Sequence, residues 1–276
     1  MRLGAAILEC VVFFYDNEEN AEAGENPLGT GFLVWTNDGD STRTHVYLVT
    51  CDHIVRASAP FHIVRWNQGA SGTFTAATSE LDWLPHPKND DLSACYLGLD
   101  PMLGGRYAAT SAFITEDQLE TDVDLGEECV MVGCFAPHPG KARNVPVVRF
   151  GNVSMMPAEP VYMKERNFNQ ECFLVEMRSR GGYSGSPVYL LPSTNLESPH
   201  VRETLGICCG HFIETNVLTG QSENSGMAVV IPAWKIAELI NRPEFREARG
   251  EQERGRDMRR ARGDYSWPTK LVPLGR

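Results

Sequence analysis

Ser184 stands in the run Arg180-Gly181-Gly182-Tyr183-Ser184-Gly185-Ser186-Pro187, with one glycine two residues before it and another directly after. A backbone without Cβ at those two positions can fold sharply and leave the hydroxyl between them exposed. The same turn can aim the N–H groups of Gly182 and Ser184 at one point, as an oxyanion hole requires. A serine hydroxyl alone is a weak nucleophile, so acyl transfer needs a base and a group that orients it. Without both, the stretch is an ordinary Gly/Ser turn between strands.

The base has to be one of seven histidines. His45, His62 and His86 fall in strands or a proline-flanked loop, and His138 and His200 lie in polar loops beside prolines. His53 closes the strand that ends Thr50-Cys51-Asp52-His53-Ile54-Val55, where the chain turns and a side chain can be held at the strand's end. For the orienting acid, Asp91 opens the apolar strand Leu92-Ser93-Ala94-Cys95-Tyr96-Leu97. A carboxylate there is half buried and can accept from an imidazole Nδ1–H. Asp90 is its rival, and strand alternation does not separate the two. His53, Asp91 and Ser184 follow each other in one of the known chain orders of a His-Asp-Ser triad. The spacing lets histidine and acid come from one half of the chain and the serine from the other.

The elements that must position these groups are short strands at intervals of about 8–15 residues, split by turn residues, the pattern of an all-β barrel or sandwich. Strands are expected over 1–16, 29–35, 45–50, 61–66, 72–77 and 90–97 in the first half. The second half repeats the pattern over 128–135, 145–154, 172–177, 187–191, 204–209 and 227–231. Asn37-Asp38-Gly39-Asp40 carries a hairpin signal, and 17–27 reads as an acidic surface loop. One helix is expected, over 232–241, with Pro232 near its first turn and Trp234, Ile236, Leu239 and Ile240 as its apolar set. The organisation is therefore 1–115 carrying His and Asp, 116–241 carrying Ser and the helix, and a charged tail over 242–276, which reads as a solvated helix or a loose segment and not as core.

Composition bounds the class. The 276 residues suffice for a full core, and 42% hydrophobic with 22% charged residues is a globular balance. A net charge of −11 argues against a dedicated nucleic-acid binder. Most of the eight cysteines sit in apolar runs, and no CxxC pair or zinc-ligand spacing occurs. The expectation is reduced thiols in a reducing, cytoplasmic compartment, with no metal and no cofactor. The apolar start is interrupted by Glu9 and lacks a cleavage-site pattern, so it reads as a strand rather than a signal peptide. No run is long enough to span a membrane.

Six blocks now stand in order: Gly29-Thr-Gly-Phe-Leu-Val, Val49-Thr-Cys-Asp-His-Ile-Val, Asp91-Leu-Ser-Ala, Gly182-Tyr-Ser-Gly-Ser-Pro-Val, Leu205-Gly-Ile and Gly226-Met-Ala-Val-Val-Ile-Pro. Together they resemble the trypsin-like, chymotrypsin-fold serine proteases, and the Ser-Gly-Ser-Pro form is most similar to the bacterial HtrA-like and glutamyl-endopeptidase-like branches. The resemblance implies a double six-stranded antiparallel β-barrel with a C-terminal helix, and an endopeptidase acting on proteins or peptides. It assigns His53 as base, Asp91 as orienter, Ser184 as nucleophile, and the Gly182 and Ser184 N–H groups as oxyanion hole. It places Arg178, Cys209, Gly210 and His211 along the substrate pocket, where Arg178 with His211 would favour an acidic side chain before the cut. Ile54 and Arg180 stand where secreted members carry cysteines, and Tyr183 where zymogen-activated members carry an aspartate. A regulatory protein partner, meeting the acidic loops or the arginine-rich tail, is expected from their composition. The competing expectation is a catalytically silent protease fold used as a scaffold, with Tyr183 and Arg178 closing the site. An α/β-hydrolase reading fails because Ser186 replaces the last glycine of its Gly-x-Ser-x-Gly turn and Pro187 opens a strand, not a helix.

Overall fold

The computed structural model describes residues 6–37, 44–68, 72–99, 107–191, 203–215 and 219–262. The hairpin signal at 37–40, His200 and the chain beyond 262 lie wholly or largely outside the described residues. Strands dominate. The first half contributes β1 (Val11–Tyr15), β2 (Gly29–Thr36), β3 (His45–Thr50), β4 (Ile63–Gln68), β5 (Gly72–Ala77), β6 (Leu84–Pro85), β7 (Ser93–Leu99) and β8 (Ala108–Ala109). They form one sheet in the order β5-β4-β1-β2-β3-β7-β6, with β8 added beside β2. The second half contributes β9 (Glu128–Gly133), β10 (Val147–Met155), β11 (Val161–Met163), β12 (Phe168–Gln170), β13 (Phe173–Glu176), β14 (Ser186–Leu190), β15 (Thr204–Thr215) and β16 (Ser222–Pro232). Six of these close into a barrel, β10-β13-β16-β15-β14-β9, while β11 and β12 pair apart.

Two closed six-stranded barrels are therefore not what the described residues form; the second half closes and the first does not. Its last strand, β6, has two residues, and one is Pro85, which has no N–H to donate to a ladder. The apolar alternation and continuous runs seen in sequence are honoured in both halves. Val11 to Tyr15, Phe32 to Val34, Val46 to Val49, Cys129 to Val132 and Val229 to Ile231 are all buried in one core.

Helices appear where the sequence suggests loop or strand. Residues Glu18–Ala23 form a helix (α2) after a first short one at Ala6–Glu9 (α1). Asn17 caps α2 by accepting from the Asn20 N–H, and Gly24 ends it in the left-handed conformation. The segment after β3 is a seven-residue helix, α3 (Asp52–Ser58). The expected helix is present as α4 (Ala233–Ile240). Where composition suggests a solvated helix or a loose tail and no core, Pro243–Ala261 form a 19-residue helix, α5, that does reach the core. One face of α5 carries Phe245, Ala248 and Arg249, spaced three and four residues apart, and all three are buried. Phe245 packs edge-on against Tyr47 at 5.4 Å, and Arg249 donates to the Tyr47 hydroxyl at 2.5 Å and the Ile240 carbonyl at 3.0 Å. Among the described residues no helix is long and apolar enough to cross a membrane.

Candidate active site

The first leg of the site is a helix terminus. The opening N–H groups of any α-helix lack partners within the helix. In α3 the capping residue Cys51 offers no side-chain bond, and the carboxylate of Asp91 fills the role from across the fold. Asp91 Oδ1 accepts from the His53 N–H at 3.0 Å, and Oδ2 lies 2.6 Å from the same residue's Nδ1. One acid thus fixes the backbone and the ring of one histidine, and Nδ1 must carry the proton that Oδ2 accepts. The His53 side chain is 43% exposed, whereas Asp91 is 5%. Burial raises the Asp91 pKa, but the hydrogen bond and charge of His53, helped by Arg166, outweigh it and hold the carboxyl below its usual range. The rivalry with Asp90 ends here. Asp90 turns the other way, toward His86 at 2.7 Å, Gln170 at 2.5 Å and Lys235 at 3.8 Å.

The second leg is the serine turn. Gly182 and Gly185 have φ of +98° and +87°, a region costly for any side chain with Cβ. A Cβ on Gly185 would also lie 1.8 Å from the Thr30 carbonyl oxygen. The turn is tied to the first half at several points. Thr30 N–H donates to the Ser184 carbonyl at 2.8 Å, and the Thr30 hydroxyl donates to the Gly182 carbonyl at 2.6 Å. The Cys208 carbonyl accepts both the Gly185 N–H at 2.7 Å and the Cys51 S–H at 3.3 Å. The residue after Ser184 and the residue two before His53 therefore share one acceptor, which draws the two legs together. Among the described residues, neither the Gly182 nor the Ser184 N–H is spent on a hydrogen bond, and the Ser184 hydroxyl makes none to His53. The imidazole and carboxylate are joined; the bond from hydroxyl to imidazole is open.

Tyr183 does not cover the site. It is fully buried in the barrel, its hydroxyl accepts from Arg149 Nε at 3.1 Å, and that guanidinium sits 5.2 Å from its ring. It anchors the turn from below. Arg178 is exposed, Cys209 is buried, and Gly210 and His211 are half-buried on β15. Space beside Gly210 is open, with nothing within 4 Å of where a Cβ would be. Burial pushes the His211 pKa down, with a partial offset from the charge of Glu165.

Cys51 brings a third donor beside the pair, since its sulfur and the His53 and Asp91 ligand atoms lie within 4.8 Å of one another. A metal would need the thiolate and both of the others. Burial, and then the charge of Asp91, raises the Cys51 pKa well above normal, and its S–H is committed to Cys208. The donor set suits a protonated thiol packed behind a His–Asp pair. All eight cysteines are buried and unpaired with one another.

Sequence reasoning missed four residues that hold this arrangement. Thr30 read only as part of a strand entered through glycines. Gln170, on the unforeseen β12, accepts from the Asp91 N–H at 3.2 Å and donates to Asp90. Arg149 and Arg166 act through Tyr183 and Asp91, and no local pattern marks any of the four.

No family model matches the chain, and no curated protein does. Solved structures do. The MamO protease domain from Magnetospirillum magneticum, in its apo form, superposes with a TM-score of 0.53 at 18% identity, over 84% of this chain and 96% of that one. The serine-to-alanine mutant of Rv3671c from M. tuberculosis H37Rv, in an inactive form, gives 0.48 at 16% identity, over 86% and 88%. The first of these likenesses, with the closed barrel and C-terminal helices, establishes a chymotrypsin-like protease-domain fold for this chain.

Proposed function

We propose that this chain is a serine endopeptidase in which Ser184 attacks a peptide carbonyl, His53 takes its proton, and Asp91 holds the imidazole. The observation that carries the reading is the double grip of Asp91 on His53, at 3.0 and 2.6 Å, beside a glycine turn whose two flanking N–H groups are uncommitted. With Nδ1–H given to the carboxylate, Nε2 is the nitrogen left to accept a proton. The imidazolium then protonates the leaving amine, and water repeats the sequence on the acyl-enzyme. Gly182 and Ser184 N–H groups would receive the carbonyl oxygen as it gains charge, each typically worth about 2.7–4 kcal/mol. Arg178 supports a preference for acidic side chains before the cut. Buried, unpaired thiols support a reducing, cytoplasmic setting.

Turnover of a fluorogenic peptide library by the wild-type chain tests this, with Ser184→Ala as control. The reading expects cleavage mainly after Asp or Glu that Ser184→Ala abolishes. Cleavage that survives Ser184→Ala would overturn it, and cleavage after Lys, Arg or large apolar residues would overturn the acidic preference alone.

The open bond between Ser184 and His53 favours a second reading, a protease fold serving as a binding module. Catalytic hydrogen bonds are often long before substrate arrives, so the two readings separate on turnover rather than on resting geometry.

A further inference from the structure

Thr30 lies on β2, in the sheet opposite the serine turn, and is fully buried. Its hydroxyl is saturated: it accepts from the Cys134 N–H at 2.9 Å and donates to the Gly182 carbonyl at 2.6 Å. Its own N–H donates to the Ser184 carbonyl, and its carbonyl accepts from the Thr50 hydroxyl at 2.6 Å. One residue thus grips the carbonyls of Gly182 and Ser184, the two residues that flank Tyr183. The segment it grips needs holding. Gly181 and Gly182 are adjacent, so side chains do little to restrain rotation where an N–H must be aimed. The hydroxyl of Thr30 is the only group among the described residues that hydrogen-bonds the Gly182 carbonyl. Fixing that carbonyl fixes one end of the residue whose other end is the candidate oxyanion donor.

We propose that Thr30 is a positioning residue that aims the Gly182 N–H into the oxyanion hole, through the relay Cys134 N–H to Thr30 hydroxyl to Gly182 carbonyl. The proposal rests on the endopeptidase reading above. It adds a residue from the half of the fold that contributes neither the serine nor its N–H groups. Thr30 touches no reacting atom. Its effect falls on the transition state, where the donor matters most, and leaves ground-state binding alone.

The test is the acylation burst with p-nitrophenyl acetate, and kcat and KM on a peptide substrate, in the full chain. Thr30→Val keeps the shape and removes the hydroxyl. It should slow acylation by about 10–100-fold, less than the about 10²–10³-fold that follows outright loss of an oxyanion-hole donor. The loss should appear in kcat with KM little changed. Thr30→Ser, which restores the hydroxyl, should recover most of the rate, an outcome that a merely structural role would not distinguish from Val at equal thermal stability. Should Thr30→Val not fold, Thr30→Cys carries the test, since its S–H is a weak donor and its rate should fall between the wild type and that expected for Val. A folded Val or Cys variant acylating at the wild-type rate, or a Ser variant as slow as Val, overturns the assignment and leaves the endopeptidase reading standing. A wild-type chain that never acylates overturns both.

Discussion

His53–Asp91 and His86–Asp90 are the same two side chains at nearly the same separation, 2.6 and 2.7 Å, built on consecutive aspartates. Their surroundings part them. The His86 side chain has no exposure, and its Nε2 faces Glu238 at 3.6 Å. Asp90 is further engaged by Gln170 and by Lys235, which itself bridges to Glu171 at 2.6 Å. Both nitrogens of His86 and Oδ2 of Asp90 are buried and paired by charge without an aligned hydrogen bond, and only Asp90 Oδ1 accepts one, from Gln170. His53 has one nitrogen held and its ring 43% exposed, so its other nitrogen is free to exchange a proton with something arriving from outside. An imidazole sealed between two carboxylates, with neither nitrogen open to solvent, braces the fold through charge, whereas one held by a hydrogen bond on a single side can act as a base. Gln170 stands between the pairs, accepting from the Asp91 backbone while donating to the Asp90 carboxylate. The active-looking pair is thus braced by the buried one.

The comparison breaks most visibly at Asp91. Asp91→Asn should lower kcat by about 10⁴-fold, because the amide presents the wrong hydrogen-bonding partner to Nδ1 and frees the wrong tautomer. Steady-state kinetics on the best library peptide measures it. Asp90→Asn should do the reverse, leaving kcat little changed but lowering stability by about 3–5 kcal/mol, since Lys235 and His86 lose a buried partner. Denaturant unfolding reads that loss. If Asp90→Asn damages kcat as severely as Asp91→Asn does, the two pairs are one functional unit and the contrast fails.

A smaller effect sharpens the substrate side. Arg178→Ala should weaken kcat/KM for peptides with an acidic residue before the cut by about 10–100-fold, the scale of a charged hydrogen bond. Peptides with neutral residues there should be unaffected. The smallest is in acid. Because the folded Asp91 pKa lies below its unfolded value, the carboxylate contributes stability that is present above the usual carboxylate range and is lost as pH falls through the depressed folded value. Wild-type stability should therefore fall more steeply below about pH 4 than that of Asp91→Asn, as thermal melts across that range would report.

Much of this arrangement was legible in the residue types. Glycines at 182 and 185 announced a sharp turn, and the run of β-branched and aromatic residues announced most strands. The helix over 233–240 followed from its apolar set. What escaped had physical causes. The first turn of α3 looks like a strand end because its capping acid, Asp91, is supplied from 38 residues away. α2 was signalled by Asn17 and Gly24, but its acidic, weakly apolar body reads as loop. The buried face of α5 hides because a buried arginine, Arg249, is indistinguishable by composition from the exposed ones around it. The choice between Asp90 and Asp91 turned on which carboxylate meets the N-terminus of α3, a contact no alternation pattern encodes. Thr30 and Gln170 reach the serine turn and the aspartates through groups distant in the chain.

Fluorophosphonate labelling, read by intact mass and peptide mapping, bears most directly on whether His53 and Asp91 make Ser184 a nucleophile. The account predicts one adduct, on Ser184, formed quickly by the wild type and by Asp90→Asn and greatly slowed in His53→Ala and Asp91→Asn. A wild-type chain that takes no adduct, or a His53→Ala chain labelled at the wild-type rate, would contradict it.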